Sequence, residues 1–384
     1  ILPMALELGT GVVAVVTGGG SGIGRALVLQ LLEAGCRVAT CDVRSELLEE
    51  TVTLAVEAVR TGKGVDVKDR LSIHVCDVTS IDAIERFRDE VLRDHFGVVH
   101  VLINNAGMST SGSFLDVSRE RFNRTFDVSF KGTVECTRAF LPTIVSQSRG
   151  AVVNVSSINA FWCTLGTSTW PFASPPHTPY SAAKAAIRGF TEALLCDAKQ
   201  NFPHVNICCV HPGHIGTNVA MHADNSEPLS ASAEHGLRQM MKFHFGDNVS
   251  EIGSEKSSEN GSDGTRVDDL DIAQLQQRLG QQFKALAPTT AEQCATKIIH
   301  AITTGSTRLL VGEDAVVFDW CARAFPRWIY NDVFMTFVML PWAIIGGNKY
   351  NPLGRFGYPF VVLMTVVALF LGFNKLSGLS SEYH

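Results

Sequence analysis

The sequence predicts an α/β fold in which helices cover both faces of a doubly wound parallel sheet. Three observations carry that expectation. Short apolar runs rich in β-branched residues recur along the first 311 residues. Helix-length segments separate them, and a glycine-rich turn joins the first run to the first helix. Strands covered on both faces read as continuous apolar runs, not as alternating ones. Strands that alternate with helices imply right-handed crossovers and parallel pairing.

Taken in order, residues 12–17 form the first strand and residues 24–34 the first helix, which Gly35 stops. Strands follow at 37–41, 71–76, 99–103, 151–155 and 205–210. Helices fall between them at 45–61, 80–95, 116–145 and 181–200. Past residue 218 the alternation weakens. Residues 246–272 are rich in Ser, Gly, Asp and Glu and read as a flexible insertion. A helix at 289–304 and a strand at 307–311 restore the pattern. The expected organisation is a catalytic domain over 1–320 and an apolar extension over 321–384.

Composition narrows the function. Of the 384 residues, 46% are hydrophobic and 18% charged, so a sizeable core is expected. The net charge of −6 and the lack of a basic stripe speak against nucleic acid as a partner. The ten cysteines show no CxxC spacing and read as buried, inert thiols of a reducing, intracellular compartment. His211 and His214 follow Cys208 and Cys209, but a strand ending in a Pro-Gly turn accounts for that stretch, and no metal is expected. The start of the chain lacks the basic region of a secretory signal.

The C-terminal region differs. Residues 333–347 and 357–373 are strongly apolar, and 348–356 between them carry Lys349 and Arg355. The second stretch has 17 residues without a charge, at the short end of what spans a bilayer. The first contains Pro341. Trp320, Trp328, Tyr330, Trp342 and Tyr358 edge the two, as interfacial aromatics do. Three readings stand: membrane association through 333–373 as a hairpin, re-entrant segment or single span; an oligomer interface; extra core.

Two constellations carry chemistry. Thr17-Gly18-Gly19-Gly20-Ser21-Gly22-Ile23-Gly24 lies between a buried strand and a helix start, the context of a Rossmann-type dinucleotide site. Gly18, Ser21, Gly22, Ile23 and Gly24 would let backbone and helix N-terminus meet a pyrophosphate. Asp42 ends the second strand, 18 residues past Gly24, where a carboxylate accepts from ribose hydroxyls and repels a 2′-phosphate. That favours NAD. Arg44 and Arg25 keep NADP open. Further on, Tyr180-Ser181-Ala182-Ala183-Lys184 sets a phenol and an ammonium one helical turn apart. An ammonium and an oxidised nicotinamide both favour the phenolate, which makes a usable general base. Lys184 can also reach ribose hydroxyls.

With these residues the sequence resembles the short-chain dehydrogenase/reductase family over about residues 10–320. Its motifs stand in the family's order. After the glycine motif come Asp77-Val78, Asn104-Asn105-Ala106-Gly107, Asn154-Val155-Ser156-Ser157, Tyr180 with Lys184, and Pro212-Gly213-His214-Ile215-Gly216-Thr217. The stretch Leu309-Leu310-Val311-Gly312-Glu313-Asp314-Ala315 is similar to a C-terminal segment of uncharacterised bacterial members. The resemblance implies that Asp77 and Val78 contact adenine and that Asn105, Ala106 and Gly107 support sheet and cofactor. It implies that Ser157, not Ser156, bonds the substrate oxygen, and that Pro212, Gly213, Ile215 and Thr217 hold the nicotinamide end.

Two departures stand out. The family commonly places an Asn, which helps hold a relay water, where this chain has Ser129, within Asp127-Val128-Ser129-Phe130-Lys131-Gly132. Ser157 and Tyr180 are 23 residues apart, longer than the family's usual spacing. The insertion carries Trp162, Trp170 and Phe172 and reads as part of a substrate wall or as loop packing.

The leading expectation is hydride transfer between a secondary alcohol or ketone, apolar in character, and nicotinamide. The family's frequent oligomers make a homo-oligomer an expectation as well. A rival is a catalytically silent, membrane-tethered binding or scaffold protein. Ser129 favours the rival; Ser157, Tyr180 and Lys184 favour the enzyme. An epimerase or dehydratase on a nucleotide sugar fits less well, because the glycine spacing is GxxxGxG and not GxxGxxG.

Overall fold

The computed structural model describes residues 5–60, 67–110, 114–161, 177–217 and 287–324, with short pieces between 234 and 281 and residue 326. Seven parallel strands form one sheet. They are β1 (Val13–Thr17), β2 (Arg37–Asp42), β3 (Leu71–Val75), β4 (Val101–Asn104), β5 (Gly150–Val155), β6 (Val205–Pro212) and β7 (Arg308–Val311), in the order β7-β6-β5-β4-β1-β2-β3. The chain winds outward from β1 to β3, returns beside β1 with β4, and winds the other way. Ligands of such sheets bind outside the carboxyl ends of the strands, where the order reverses.

The helices are α1 (Gly22–Glu33), α2 (Ser45–Arg60), α3 (Ile81–Asp94), α4 (Arg119–Phe126), α5 (Gly132–Val145), α6 (Thr178–Asn201), α7 (Ala291–Thr304) and α8 (Glu313–Ala324). β1 shows why its sequence is apolar throughout. Ala14 and Val16 enter one core with Leu27 and Leu31 of α1 and Ile298 and Ile302 of α7. Val13 and Val15 enter a second core with Phe87 of α3, Phe140 of α5 and Ile207 of β6. Alternate side chains leave opposite faces of a strand, so both sets must be apolar. α3 buries only the stripe Ile84, Phe87 and Val91. The Phe87 ring meets Phe140 edge-on at 5.4 Å. Each such side chain contributes roughly 1.5–3 kcal/mol on burial.

Caps set the boundaries. Ser80 and Ser118 accept from backbone N–H groups at the starts of α3 and α4. A reciprocal Thr290–Gln293 box opens α7, and Gly305, in the left-handed region at φ 70°, closes it.

The structure departs from the sequence expectations at two places. The helix expected over 116–145 is broken: a π-helical turn, Asp127–Lys131, separates α4 from α5. No Pro or Gly marks the break before Gly132, so the apolar periodicity runs through it. The segment expected to be flexible over 246–272 is ordered at its end. Asn248–Val249 pairs antiparallel with Thr265–Arg266, and Val267 and Leu270 are buried. The Arg238 guanidinium donates to the carbonyls of Val267 (2.9 Å), Asp268 (3.2 Å) and Leu270 (3.0 Å), which satisfies the turn from outside it.

Among the described residues no helix is long and apolar enough to cross a membrane. The stretches 333–347 and 357–373, Trp328, Tyr330, Trp342, Tyr358 and the aromatic insertion residues 162–176 lie outside the described residues.

Candidate active site

The glycine loop is built by close approach. Gly18 and Gly22 take positive φ, 70° and 53°. A Cβ on Gly19 would fall 1.8 Å from Thr40 Oγ1, and one on Gly24 would fall 2.1 Å from the Gly18 carbonyl oxygen. Only hydrogen fits at either position. Asn105 braces the loop from β4: its side-chain amide donates to the carbonyls of Thr17 (3.0 Å) and Gly18 (3.2 Å). Thr17 Oγ1 in turn accepts from the N–H groups of Asn105 and Ala106, both at 3.0 Å. Ser21 precedes α1 but makes no side-chain cap, and the first turn holds no acidic residue. The helix start therefore presents its dipole and backbone N–H groups uncapped by side chains, which suits a pyrophosphate.

Asp42 closes the loop on the other side. Its carboxylate accepts from the N–H groups of Gly20 and Arg44, each at 3.2 Å. Arg44 lies 3.8 Å from it as an ion pair. Arg25, considered from sequence as a phosphate grip, is turned toward α2 and the loop backbone. Its guanidinium is spent on Glu50 (2.8 and 2.7 Å), the Gly20 carbonyl and Thr51. Asp77 accepts from the N–H (2.9 Å) and hydroxyl (2.8 Å) of Thr79, while the Val78 side chain packs into the core against Gly132.

At the ends of β5 and α6 the reactive groups meet. Pro179 in the first turn starts α6, and Tyr180 and Lys184 lie one turn apart on it. The Ser157 hydroxyl hydrogen-bonds the Tyr180 phenol. Ser156 points elsewhere: its hydroxyl donates to the Lys184 carbonyl at 2.8 Å. The two serines thus have different partners. Lys184 is buried, and its ammonium donates to the Val155 carbonyl at 2.8 Å.

The ammonium sits 5.5 Å from the centre of the Tyr180 ring. Burial pushes the Tyr180 phenol above its ordinary value, and the Ser157 hydrogen bond draws it partway back. Burial also pulls the Lys184 ammonium down to about 8. Without a bound cation the phenol is therefore neutral at pH 7, fit to give a proton.

The turn after β6 completes the crevice. Ile215–Gly216 pairs in parallel with Thr289–Thr290. A Cβ on Gly22 would meet Thr217 at 3.3 Å, so this turn and the glycine loop touch.

The family comparison decides the identity. The family model described as short chain dehydrogenase matches residues 12–228. This chain belongs to the short-chain dehydrogenase family. Membership makes it an NAD(P)-dependent oxidoreductase. SadH of Mycobacterium tuberculosis, whose name includes the word oxidoreductase, is 33% identical over 87% of this chain and 98% of its own length. Human epidermal retinol dehydrogenase 2 is 32% identical over 54% of this chain and 62% of its own length. Among solved structures, a short chain dehydrogenase/reductase from Burkholderia phymatum in complex with NAD superposes with a TM-score of 0.58 at 22% identity. It covers 86% of this chain and 96% of that one. Levodione reductase gives 0.56 at 18% identity, over 81% of this chain and 99% of that one. These two likenesses speak to the fold.

Within this short-chain dehydrogenase, the departure at Ser129 has a definite setting. Ser129 is fully buried in the π turn, and among the described residues its hydroxyl makes only long contacts with Met108, 3.4 Å from N and 3.5 Å to O. A Cβ on Gly107 would lie 3.4 Å from Lys184 Nζ and 3.6 Å from Ser129 Oγ. Gly107 therefore leaves open the space that Lys184 and Ser129 both face. Asn104 is structural: its amide donates to Thr137 Oγ1 and Asn154 Oδ1, both at 2.8 Å.

His211, considered and set aside as a ligand, is buried behind Ser157. Its Nδ1 lies 3.3 Å from the Ser157 carbonyl oxygen, and its ring meets Phe161 edge-on at 5.1 Å. Among the described residues no cluster could hold a metal. Nine free cysteines are described, and only Cys196 is exposed.

Proposed function

We propose that the chain transfers a hydride between an apolar secondary alcohol or its ketone and nicotinamide, with NAD preferred. The observation that carries this reading is the hydrogen bond between the Ser157 hydroxyl and the Tyr180 phenol, with the Lys184 ammonium buried behind them. When bound, the nicotinamide supplies or accepts the hydride. Ser157 would hold the substrate oxygen, and Tyr180 would give it a proton in reduction or take one in oxidation. Lys184, near pH 7 a cation, would lower the cost of the phenolate that reduction leaves behind.

Gly18, Ser21, Gly22, Ile23 and Gly24 would bind the pyrophosphate, and Asp42 the adenosine ribose. Asp77 and Val78 would line the adenine. Asn105, Ala106 and Gly107 would brace the middle of the cofactor, and Pro212, Gly213, Ile215 and Thr217 would hold its nicotinamide end. Asp42 supports NAD, since a 2′-phosphate beside it would meet a carboxylate. An apolar substrate is supported by the name of the relative called a retinol dehydrogenase and by Trp162, Trp170 and Phe172 in the sequence.

The test is a panel of apolar secondary alcohols and ketones followed at the nicotinamide absorbance, with NAD(H) and NADP(H) in parallel. Turnover at least about tenfold better with NAD(H) is expected, the size of one lost charge-assisted contact. NADH binding without turnover of any substrate would favour the silent binding protein, which Ser129 supports.

The apolar stretches 333–347 and 357–373 support membrane association. A chain ending at residue 326 should then remain soluble while the full chain sediments with membranes.

A further inference from the structure

The turn after β6 is held by residues about a hundred positions further along. The Gly213 N–H donates to the Val311 carbonyl at 2.8 Å. The His214 N–H donates to the Asp314 carboxylate. Asp314 is the second residue of α8 and is only 3% exposed. Among the described residues its other oxygen, Oδ1, has no hydrogen-bond partner.

Room for this carboxylate is made by two glycines. A Cβ on Gly213 would lie 2.2 Å from Asp314 Oδ2, and one on Gly312 would lie 2.2 Å from Oδ1. Gly312 also has φ 103°, a conformation other residues avoid. Burying a carboxylate with one oxygen unmatched is costly. Burial accordingly pushes the Asp314 carboxyl up, while the N–H groups of His214 and Ala315 draw it back down. The cost is borne at the turn that pairs Ile215 with Thr289 and sets Thr217 against Gly22 of the glycine loop. Asp314 lies outside residues 12–228, the part that matches the family model.

We infer that Asp314 is the positioning residue of the 212–217 turn, its carboxylate admitted by Gly213 and Gly312 and fixing His214 so that Thr217 closes on Gly22. Gly213 is then glycine to admit Asp314. The inference rests on the proposed reading that this turn faces the nicotinamide end.

The test uses the full chain with NADH as probe. Asp314→Ala should raise the Kd for NADH about tenfold, while kcat at saturating cofactor stays within about threefold, as expected for one charge-assisted hydrogen bond remote from the reacting atoms. Asp314→Asn keeps an acceptor and should restore the affinity. Gly213→Ala should weaken NADH about as much in the parent and add little in the Asp314→Ala background, because the added methyl then enters vacated space. Amide exchange at His214 should quicken in Asp314→Ala.

An unchanged Kd with unchanged His214 exchange would overturn the inference. So would a Gly213→Ala penalty of equal size in both backgrounds. If the parent binds no nicotinamide cofactor, the proposed function falls, and His214 exchange still decides whether Asp314 holds the turn.

Discussion

The glycine loop at 18–24 and the turn at 212–217 meet at Gly22 and Thr217, yet they are held in opposite ways. The glycine loop is fixed mainly by near neighbours along the chain, Thr40 and Asp42, and by main-chain packing, with Asn105 the one distant brace, 87 residues past Gly18. The 212–217 turn is fixed by Thr289–Thr290, Val311 and Asp314, all at least 70 residues later. One side of the crevice is mostly a local motif. The other is held by the end of β7 and by the starts of α7 and α8. In a short-chain dehydrogenase the glycine loop can therefore be obvious while the turn facing it, proposed above to hold the nicotinamide end, is set by chain outside the part that matches the family model.

The largest expected effect separates both loops from the chemistry. Neither loop reacts, so Tyr180→Phe should leave NADH affinity intact while kcat falls by about 10²–10⁴, the usual worth of a general acid–base group. Equilibrium titration beside steady-state turnover measures the two. Substantial turnover by this variant would move the proton to another group.

Next in size is an attack on the local side of the crevice. Gly24→Ala drives a methyl against the Gly18 carbonyl and the Asn105 amide. Overpacking of this kind costs about 1–3 kcal/mol, so NADH affinity should drop roughly 10- to 100-fold. The site should lose its cofactor before it loses its fold, and a melting curve run beside the titration separates the two. Equal affinity in parent and variant would show that the loop relaxes freely.

The same contrast explains what the sequence could reveal. β1, the glycine loop and Asp42 are legible because each is fixed by its own strand–turn–helix context. Ser157 and Tyr180 are legible through order and helical spacing, even across a long insertion. Arg25 was open to misreading, because the Glu50 and Gly20 groups that occupy it are brought there by folding. The π turn at Asp127–Lys131 leaves no mark in an apolar period that continues through it. Asp314 was visible only as a letter in a C-terminal segment. Its partner is an N–H, which no side-chain pattern encodes, a hundred residues away. The glycines at 213 and 312 are the one trace it leaves, since each makes room for a carboxylate that the sequence does not place.

A smaller effect tests the electrostatics between the two loops. Burial lowers the Lys184 ammonium from 10.5 to about 8. Below pH 8 it is charged in folded and unfolded chains alike, and the burial cost is full. From about 8 to 10.5 the unfolded chain binds the extra proton, so stability should rise with pH through that window from this group. Activity should run the other way. If ketone reduction needs the cation, kcat/KM, which reports the free enzyme, should fall above about pH 8. Lys184→Arg holds its charge throughout and should remove that alkaline limb. A limb that stays near pH 8 in the variant belongs to another group.

The smallest effect concerns Ser129, which faces the same opening beside Gly107 as Lys184. Its hydroxyl contacts to Met108 are near the length limit of a hydrogen bond, so little holds it against replacement. Asn adds an amide that can both donate to and accept from a water in that opening. The site is fully buried, however, and the larger side chain must displace a neighbour by a small distance. Ser129→Asn should accordingly leave kcat unchanged or raise it by no more than about fivefold, with a melting temperature lowered by a few degrees at most. The solvent isotope effect on kcat supplies the discriminating readout, because only a change in proton transfer moves it. A fall in kcat at unchanged melting temperature would mean that the serine hydroxyl itself carries the proton from Lys184 to water, and that the chain runs its relay without the amide its relatives commonly use.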